Sequence, residues 1–277
     1  MTGTLYVVAT PLGNLGDLSP RAADLLRRVS VVAAEDTRRT RGLLSHLGAS
    51  PTVLSFHAHS NERRLETVLE ILRDGRDVAL VSDAGTPGVS DPGADLVEAA
   101  RAGGLAVVPI PGASAVATAL SASGFPADRY LFLGFVPRKG GERARLLARA
   151  AGEEWSVVLF EAPTRLGALL QDLARLAGPE RRATVARELT KLHEEFRSGT
   201  LAELADYYSE QDPRGEITVV LGGTGAPAPA EDRTEEAAEH AAELLAEGVS
   251  RREVARRLTE SHGLSRNDAY RLVTGLP

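Results

Sequence analysis

A rhythm in the first hundred or so residues restricts the fold more than anything else in the chain. Short apolar runs rich in Val, Ile and Leu (LYVVAT, VSVVAAE, TVLSF, DVALVS and LAVVPI) alternate with RAADLLRRV, TRRTRGLLSHL, NERRLETVLEILRDG and ADLVEAARAGG, whose apolar residues recur at helical spacing. Continuous apolar runs suit strands buried on both faces. Helices inserted between them serve as crossover connections, so the rhythm predicts a largely parallel sheet covered on both sides. In NERRLETVLEILRDG, for example, Leu65, Val68, Leu69 and Leu72 form one stripe and Gly75 ends the helix. Residues 1–121 are read as an open α/β domain.

From about Ala122 to Gly223 the rhythm changes. YLFLGFV, WSVVLFEA, RATVARELT, EEFRSGT and GEITVVLGG read as strands, several of them close enough in sequence for an antiparallel or mixed sheet, with helical cover from GERARLLARAAG, TRLGALLQDLARLAG and TLAELADYYSE. Residues 122–223 are therefore read as a second α/β domain, joined to the first at SASGFPADR, where Gly124 and Pro126 punctuate the chain. Residues 224–233, rich in Pro, Ala and acidic side chains, read as a linker. Residues 234–277 read as helices, with Ser250 followed by Glu253 and Ser265 followed by Asp268 as capped starts. The helices around His262 and Gly263, with Val254, Leu258, Leu264 and Leu272 as core, fit a helix-turn-helix and a small docked bundle equally well.

Composition excludes several chemistries. The absence of cysteine removes disulfides, thiolate metal sites and a cysteine nucleophile. His57 and His59 sit two apart, which points both to one face of an extended segment, but two ligands make a poor metal site and no metal is expected. No apolar run approaches the roughly 20 residues of a membrane span, and MTGTLYVVAT lacks the basic region and cleavage site of a signal peptide, so a cytoplasmic protein without a membrane partner is expected. A net charge of −6 argues against a protein that coats nucleic acid. Local arginine clusters, such as Arg38, Arg39 and Arg41, suit either a solvated helix face or a restricted contact with phosphate.

Three turn-rich loops carry the chemistry: TPLGNLGDLS after the first strand, SDAGTPGVSDPG after DVALV, and PGASA after LAVVPI. In an open parallel sheet, loops at the carboxyl ends of the strands line one crevice. Small residues let a ligand approach the backbone, and glycine supplies the dihedrals that turn amides and carbonyls inward. None of the three is a phosphate-binding GxxxxGK[ST], a dinucleotide GxGxxG or a GxSxG nucleophile elbow.

Seven short motifs, ATPLGNLGDLSPRA, AAEDTRRTRGLL, SDAGTPGVSDPG, PGASA, FEAPTR, RELTK and GEITVVLGG, occur in an order that resembles the 16S ribosomal RNA cytidine 2′-O-methyltransferases, a branch of the tetrapyrrole (corrin/porphyrin) methylase superfamily. The resemblance implies a two-domain tetrapyrrole-methylase-like fold and a homodimer that binds S-adenosylmethionine between its domains. Its substrate would be 16S ribosomal RNA within the small ribosomal subunit. Cofactor contacts would fall on Leu12, Asp83, Thr86, Ser114, Ala115, Phe160, Ala186 and Thr218, and RNA contacts on Arg38, Arg39 and Arg41. Tetrapyrrole methylases typically carry GxGxGD in the first loop and GDP in the second. TPLGNLGD and SDAGTP depart from both, in favour of the ribosomal branch.

Transfer to a ribose hydroxyl requires alignment and removal of a proton. Asp36, Glu188 and Lys191 are the candidates. Lys191 would serve either as a base with lowered pKa or as a cation that acidifies the hydroxyl. Asp36 is equally readable as a helix cap, and the RELTK charges as a surface ion pair. The alternatives to RNA methylation are a methyltransferase acting on a tetrapyrrole precursor and a ligand-sensing DNA-binding regulator.

Overall fold

The computed structural model describes residues 2–57, 62–211, 213–225, 230–262, 264 and 266–275. His59, Gly263 and Ser265, singled out above, lie outside the described residues. The chain divides into two compact units, Met1–Thr224 and Gly225–Pro277.

The first unit opens with β1 (Thr4–Val8), α1 (Pro20–Arg28), β2 (Val31–Ala34), α2 (Thr37–His46), β3 (Thr52–Ser55), α3 (Glu62–Arg73), β4 (Val78–Val81), α4 (Ala94–Ala102), β5 (Ala106–Ile110) and α5 (Ala115–Ser123). The five strands pair in the order β3-β2-β4-β1-β5, all parallel, as the rhythm requires. Alternation along each strand serves both faces. Leu5, Val31, Ala33, Val78 and Leu80 enter one core with α3 and α4, and Val8, Val32, Ala34, Ala79 and Val81 enter another with α1 and α2.

The second sheet contains β6 (Tyr130–Phe135), β7 (Ser156–Glu161), β8 (Arg182–Arg187), β9 (Glu195–Thr200) and β10 (Ile217–Leu221), with α6 (Gly140–Gly152), α7 (Leu166–Ala177) and α8 (Leu201–Ser209) between them. Its order is β6-β7-β10-β8-β9. Only β6 and β7 run parallel; the other pairs are antiparallel. One face packs on α6, α7 and α8 through Leu147, Leu169, Leu173 and Leu204. The other carries Val158, Ala186 and Val220, which pack against Leu12 of the first loop and against Val116, Ala119 and Leu120 of α5.

Helix α5 was not anticipated from the sequence. AVATALSAS has almost no polar side to generate a stripe, and burial against the second sheet explains why it needs none. Gly124, in the left-handed region at φ 76°, ends it.

The second unit is three helices, α9 (Ala230–Ala246), α10 (Arg251–His262) and α11 (Arg266–Gly275), around Ala237, Ala241, Leu244, Val254, Leu258, Ala269 and Val273. Helix α9 starts inside the stretch read above as linker. Ser250 Oγ accepts from the Glu253 amide at 3.4 Å, as expected of the cap. Among the described residues no helix is long and apolar enough to cross a membrane.

Candidate active site

Because β4, β1 and β5 are neighbours, the three turn-rich loops leave adjacent strand ends, and hydrogen bonds fasten them to one another. Thr10 and Gly85 exchange backbone hydrogen bonds of 2.8 and 3.0 Å, joining the first loop to the second. Ser82 Oγ donates to Gly85 O at 3.2 Å, and Thr10 Oγ1 donates to Ser82 O at 3.1 Å. Thr86 Oγ1 donates to Ala113 O at 3.2 Å, joining the second loop to the third. Beyond β2, Asp83 Oδ1 accepts from the Asp36 amide at 2.9 Å, which holds the start of α2 against the same floor. Pairing buried backbone groups in this way leaves a rigid, pre-organised surface.

The second sheet faces that floor across a cavity of about 450 Å³. Its wall is formed by Phe135 of β6, Phe160 and Glu161 of β7, and Ile217 and Thr218 of β10; Phe135, Phe160 and Thr218 turn their side chains to the cavity, whereas Glu161 and Ile217 turn theirs to the helix-covered face. Glu161 is only 2% exposed, ion-paired to Arg143 at 3.7 Å and to Arg165. Its Oε1 accepts from the Ala162 amide at 2.8 Å, whereas Oε2 carries no hydrogen bond. Burial pushes its carboxyl above the ordinary value despite the two arginines.

RELTK forms a clasp between the two sides. Glu188 and Thr190 adopt positive φ (51° and 66°), a strain of order 1–3 kcal/mol each, with Leu189 buried beneath them. Lys191 Nζ donates to Glu188 Oε1 at 2.7 Å and to Glu216 Oε2 at 3.1 Å. Glu188 Oε1 also accepts from the Glu216 amide at 3.0 Å. The aliphatic stem of Lys191 lies over Gly13 so closely that a β-carbon there would stand 2.2 Å from its Cγ. The first loop therefore needs glycine at this point because another chain segment occupies the space.

The acids of the cavity differ in character. Glu35 is raised above its ordinary value by burial and by the neighbouring Asp83. Asp91 is raised to about 6, first by burial and then by the charges of Glu35, Asp83 and Glu216, against a stabilising hydrogen bond with Ser82. Glu188 is held low by its hydrogen bond from Lys191. Burial draws Lys191 down, but its bonds to Glu188 and Glu216 more than offset this, so it stays above the ordinary value.

Of the eight residues expected to contact a cofactor, Leu12, Asp83, Thr86, Ser114, Ala115, Phe160 and Thr218 line the cavity. Ala186 lies one strand over, opposite Thr218 and fully buried. Ser114 Oγ also faces the Ala117 amide at 3.5 Å as the cap of α5. Arg39 lines the cavity with its Nε 3.8 Å from Asp83 Oδ2, Arg41 is exposed, and Arg38 is spent on Asp36 at 3.1 Å. The Asp36 carboxylate caps α2 and is held low by the Arg38 guanidinium and amide. Sequence reasoning did not single out Glu35, Asp91, Phe135 or Glu161. Asp91 and Glu161 stand within the quoted motifs SDPG and FEAPTR, where a signal was available.

This arrangement, a parallel sheet whose strand-end loops face a mixed sheet across a cleft, is matched by a family model. The tetrapyrrole (corrin/porphyrin) methylases match residues 4–205, and the chain belongs to that family. Two solved structures share the fold. A uroporphyrin-III C-methyltransferase from Thermus thermophilus complexed with S-adenyl homocysteine is 21% identical, with TM-score 0.58 over 79% of this chain and 97% of that one. A diphthine synthase is 16% identical, with TM-score 0.64 over 79% and 90%. Within the family the chain belongs with the proteins named ribosomal RNA small subunit methyltransferase I. It is 45% identical to the one from Synechocystis over 98% of this chain and 97% of the relative, and 44% identical to that of Pseudomonas aeruginosa over 97% and 95%. Identity thus runs about twice as high toward the RNA-modifying relatives as toward the porphyrin enzyme, which does not favour the tetrapyrrole and regulator alternatives.

Proposed function

We propose that the chain transfers a methyl group from S-adenosylmethionine to the ribose 2′-hydroxyl of a cytidine in 16S ribosomal RNA, acting on the small ribosomal subunit as a cytoplasmic homodimer. The observation that carries the reading is that seven residues from five separate segments, chosen by resemblance to the ribosomal methylases, line one cavity.

The cavity suits the methyl donor. Leu12, Val116 and Phe160 offer apolar surface to a purine. Glu35, Asp83 and Asp91 offer negative charge to an ammonium and a sulfonium. When bound, S-adenosylmethionine supplies an electrophilic methyl group on positively charged sulfur.

The chain's own part is to place the hydroxyl and remove its proton. Lys191, held as an ammonium by two carboxylates, does not accept a proton at neutral pH; as a fixed cation it lowers the pKa of a hydroxyl brought against it. Glu188 and Asp36 are weak acceptors because their partners stabilise the charged form. Asp91 combines a place in the cavity with a pKa of about 6, close to the value at which a general base works best near neutrality. Asp91 accepts the proton in this reading, and the Glu188–Lys191–Glu216 clasp orders the surroundings. A net charge of −6 favours recognition of an assembled particle at a restricted footprint, so naked RNA is expected to be the poorer substrate.

Labelled S-adenosylmethionine incubated with small subunits from a strain lacking the enzyme tests the proposal. Label recovered as 2′-O-methylcytidine after nucleoside analysis is the expected result. Label in another nucleoside, or none, contradicts it.

A further inference from the structure

We infer that Phe135 is a stacking platform for an unpaired pyrimidine base of the RNA substrate, with Arg138 and Lys139 holding the adjoining phosphates. The inference rests on the function proposed above and assigns the part of the site that recognises the nucleoside.

Strand β6 breaks its own alternation. Leu131 and Leu133 pack with α6 and α7 on one face of the second sheet, and Phe132 packs on the other, toward the cavity. Strict alternation would put Phe135 with the leucines. Instead the β6–β7 register shifts between Phe132 and Phe135: Phe132 stands opposite Val158, yet Phe135 stands opposite Phe160, one residue later than regular pairing gives. That extra residue is a bulge, and it turns Phe135 to the cavity side. Val136 then returns to the leucine core, with its amide donating to Phe160 O at 3.1 Å.

The bulge depends on Gly134. Its φ of 65° disfavours any residue with a β-carbon, and such a carbon would stand 3.1 Å from Ser90 Oγ of the second loop. Ser90 itself is held at φ 62°. A glycine from one wall and a strained serine from the other thus approach each other next to Phe135 in the chain.

What this produces is a large apolar side chain in the open. Phe135 lines the cavity and is 59% exposed. It is not loose, because its ring packs edge-to-face on Phe160 at 5.4 Å, and Phe160 packs likewise on Phe132 at 4.9 Å. Val89 of the second loop, also in the cavity lining, is 41% exposed. A braced aromatic ring with one apolar neighbour suits a flat base that has left its stack, the form in which RNA sequence is read by proteins. Charge narrows the occupant to nucleic acid. Arg138 and Lys139 follow Phe135 by three and four residues, are exposed, and make no ion pair among the described residues. With Arg39 in the lining, they supply cations near a cavity whose interior is acidic, so phosphate has a place outside it and none within.

The test is steady-state methylation of small subunits at saturating S-adenosylmethionine, alongside calorimetric titration of that cofactor and sedimentation. Phe135→Ala should lower kcat/KM roughly 10- to 100-fold, mainly through KM, with cofactor affinity and sedimentation unchanged. Phe135→Tyr should restore activity, since a ring is all that stacking requires. The double variant Arg138→Ala/Lys139→Ala should flatten the dependence of log(kcat/KM) on log[salt] by about 1 to 2. Full activity in Phe135→Ala overturns the inference. So does a matching loss of cofactor affinity, which would make Phe135 part of the cofactor wall, or a change in oligomeric state, which would make it a subunit contact. A wild-type chain that methylates no RNA would instead overturn the functional proposal, so the two failures are distinguishable.

Discussion

The two walls of the cavity are made in opposite ways. On the side of the parallel sheet, backbone is held by backbone: Thr10 to Gly85, Ser82 to Gly85 and Thr86 to Ala113 fasten three loops into a floor that presents few long side chains. On the side of the mixed sheet, the wall is side chains standing on paired strands, among them Phe135, Phe160 and Thr218. A floor of backbone can approach a ligand closely and keep its shape, whereas a wall of side chains can vary its chemistry without disturbing the fold. In the proposed reading both sides touch the methyl donor, and the side-chain wall adds Phe135, the surface that meets the base.

Removing the acidic side chains should give the largest effects, whichever side they come from. Asp91 belongs to the second loop but acts through its side chain, and Asp91→Asn is expected to lower turnover roughly 10²- to 10⁴-fold. In the wild type, activity should rise with pH through about 6 as Asp91 ionises, and this limb should vanish in the variant. The same shift has a stability consequence. Between the ordinary value of 3.8 and about 6 the folded chain holds a proton that the unfolded chain has released, so this group's contribution falls as pH rises through that window. Asp91→Asn should therefore raise the Tm at pH 7 while lowering activity.

Glu161→Ala comes next. It leaves Arg143 and Arg165 without their buried counter-ion, and a loss of about 3–5 kcal/mol in denaturant unfolding is expected. An unchanged midpoint would show that Asp172, 2.8 Å from Arg143, compensates.

The floor is tested by Gly13→Ala. Its methyl group must displace the stem of Lys191, at a cost of about 1–3 kcal/mol. Because the displacement acts through Lys191, kcat should fall in the same direction as in Lys191→Met and no further. The smallest effect is expected of Ser114→Ala, which removes the cap of α5 and about 1 kcal/mol of stability. A cofactor affinity that falls by a comparable factor would indicate that the Ser114 hydroxyl also meets the ligand.

The same contrast explains what could be read in advance. The floor was legible because its demands are local: strands of Val, Ile and Leu, helices of period 3.6, and glycines where the chain must turn. The wall depended on register, which local pattern does not encode. Phe135 alternates with Leu133 in sequence as a core residue would, and only the β6–β7 pairing shows that an extra residue turns it outward. Helix α5 escaped notice because burial on the second sheet removes the polar face by which a helix announces itself. Lys191 was open to two roles because its pKa depends on Glu216, which is 25 residues away in sequence and adjacent in space.

The most direct test of the account is a crystal structure of the chain with S-adenosylhomocysteine. The account predicts density in the single cleft described here, touching Asp83 and Thr86 on the floor and Phe160 and Thr218 on the wall, with the Phe135 ring still open beside it. Density that touches only one wall, or that lies outside this cavity, would contradict it.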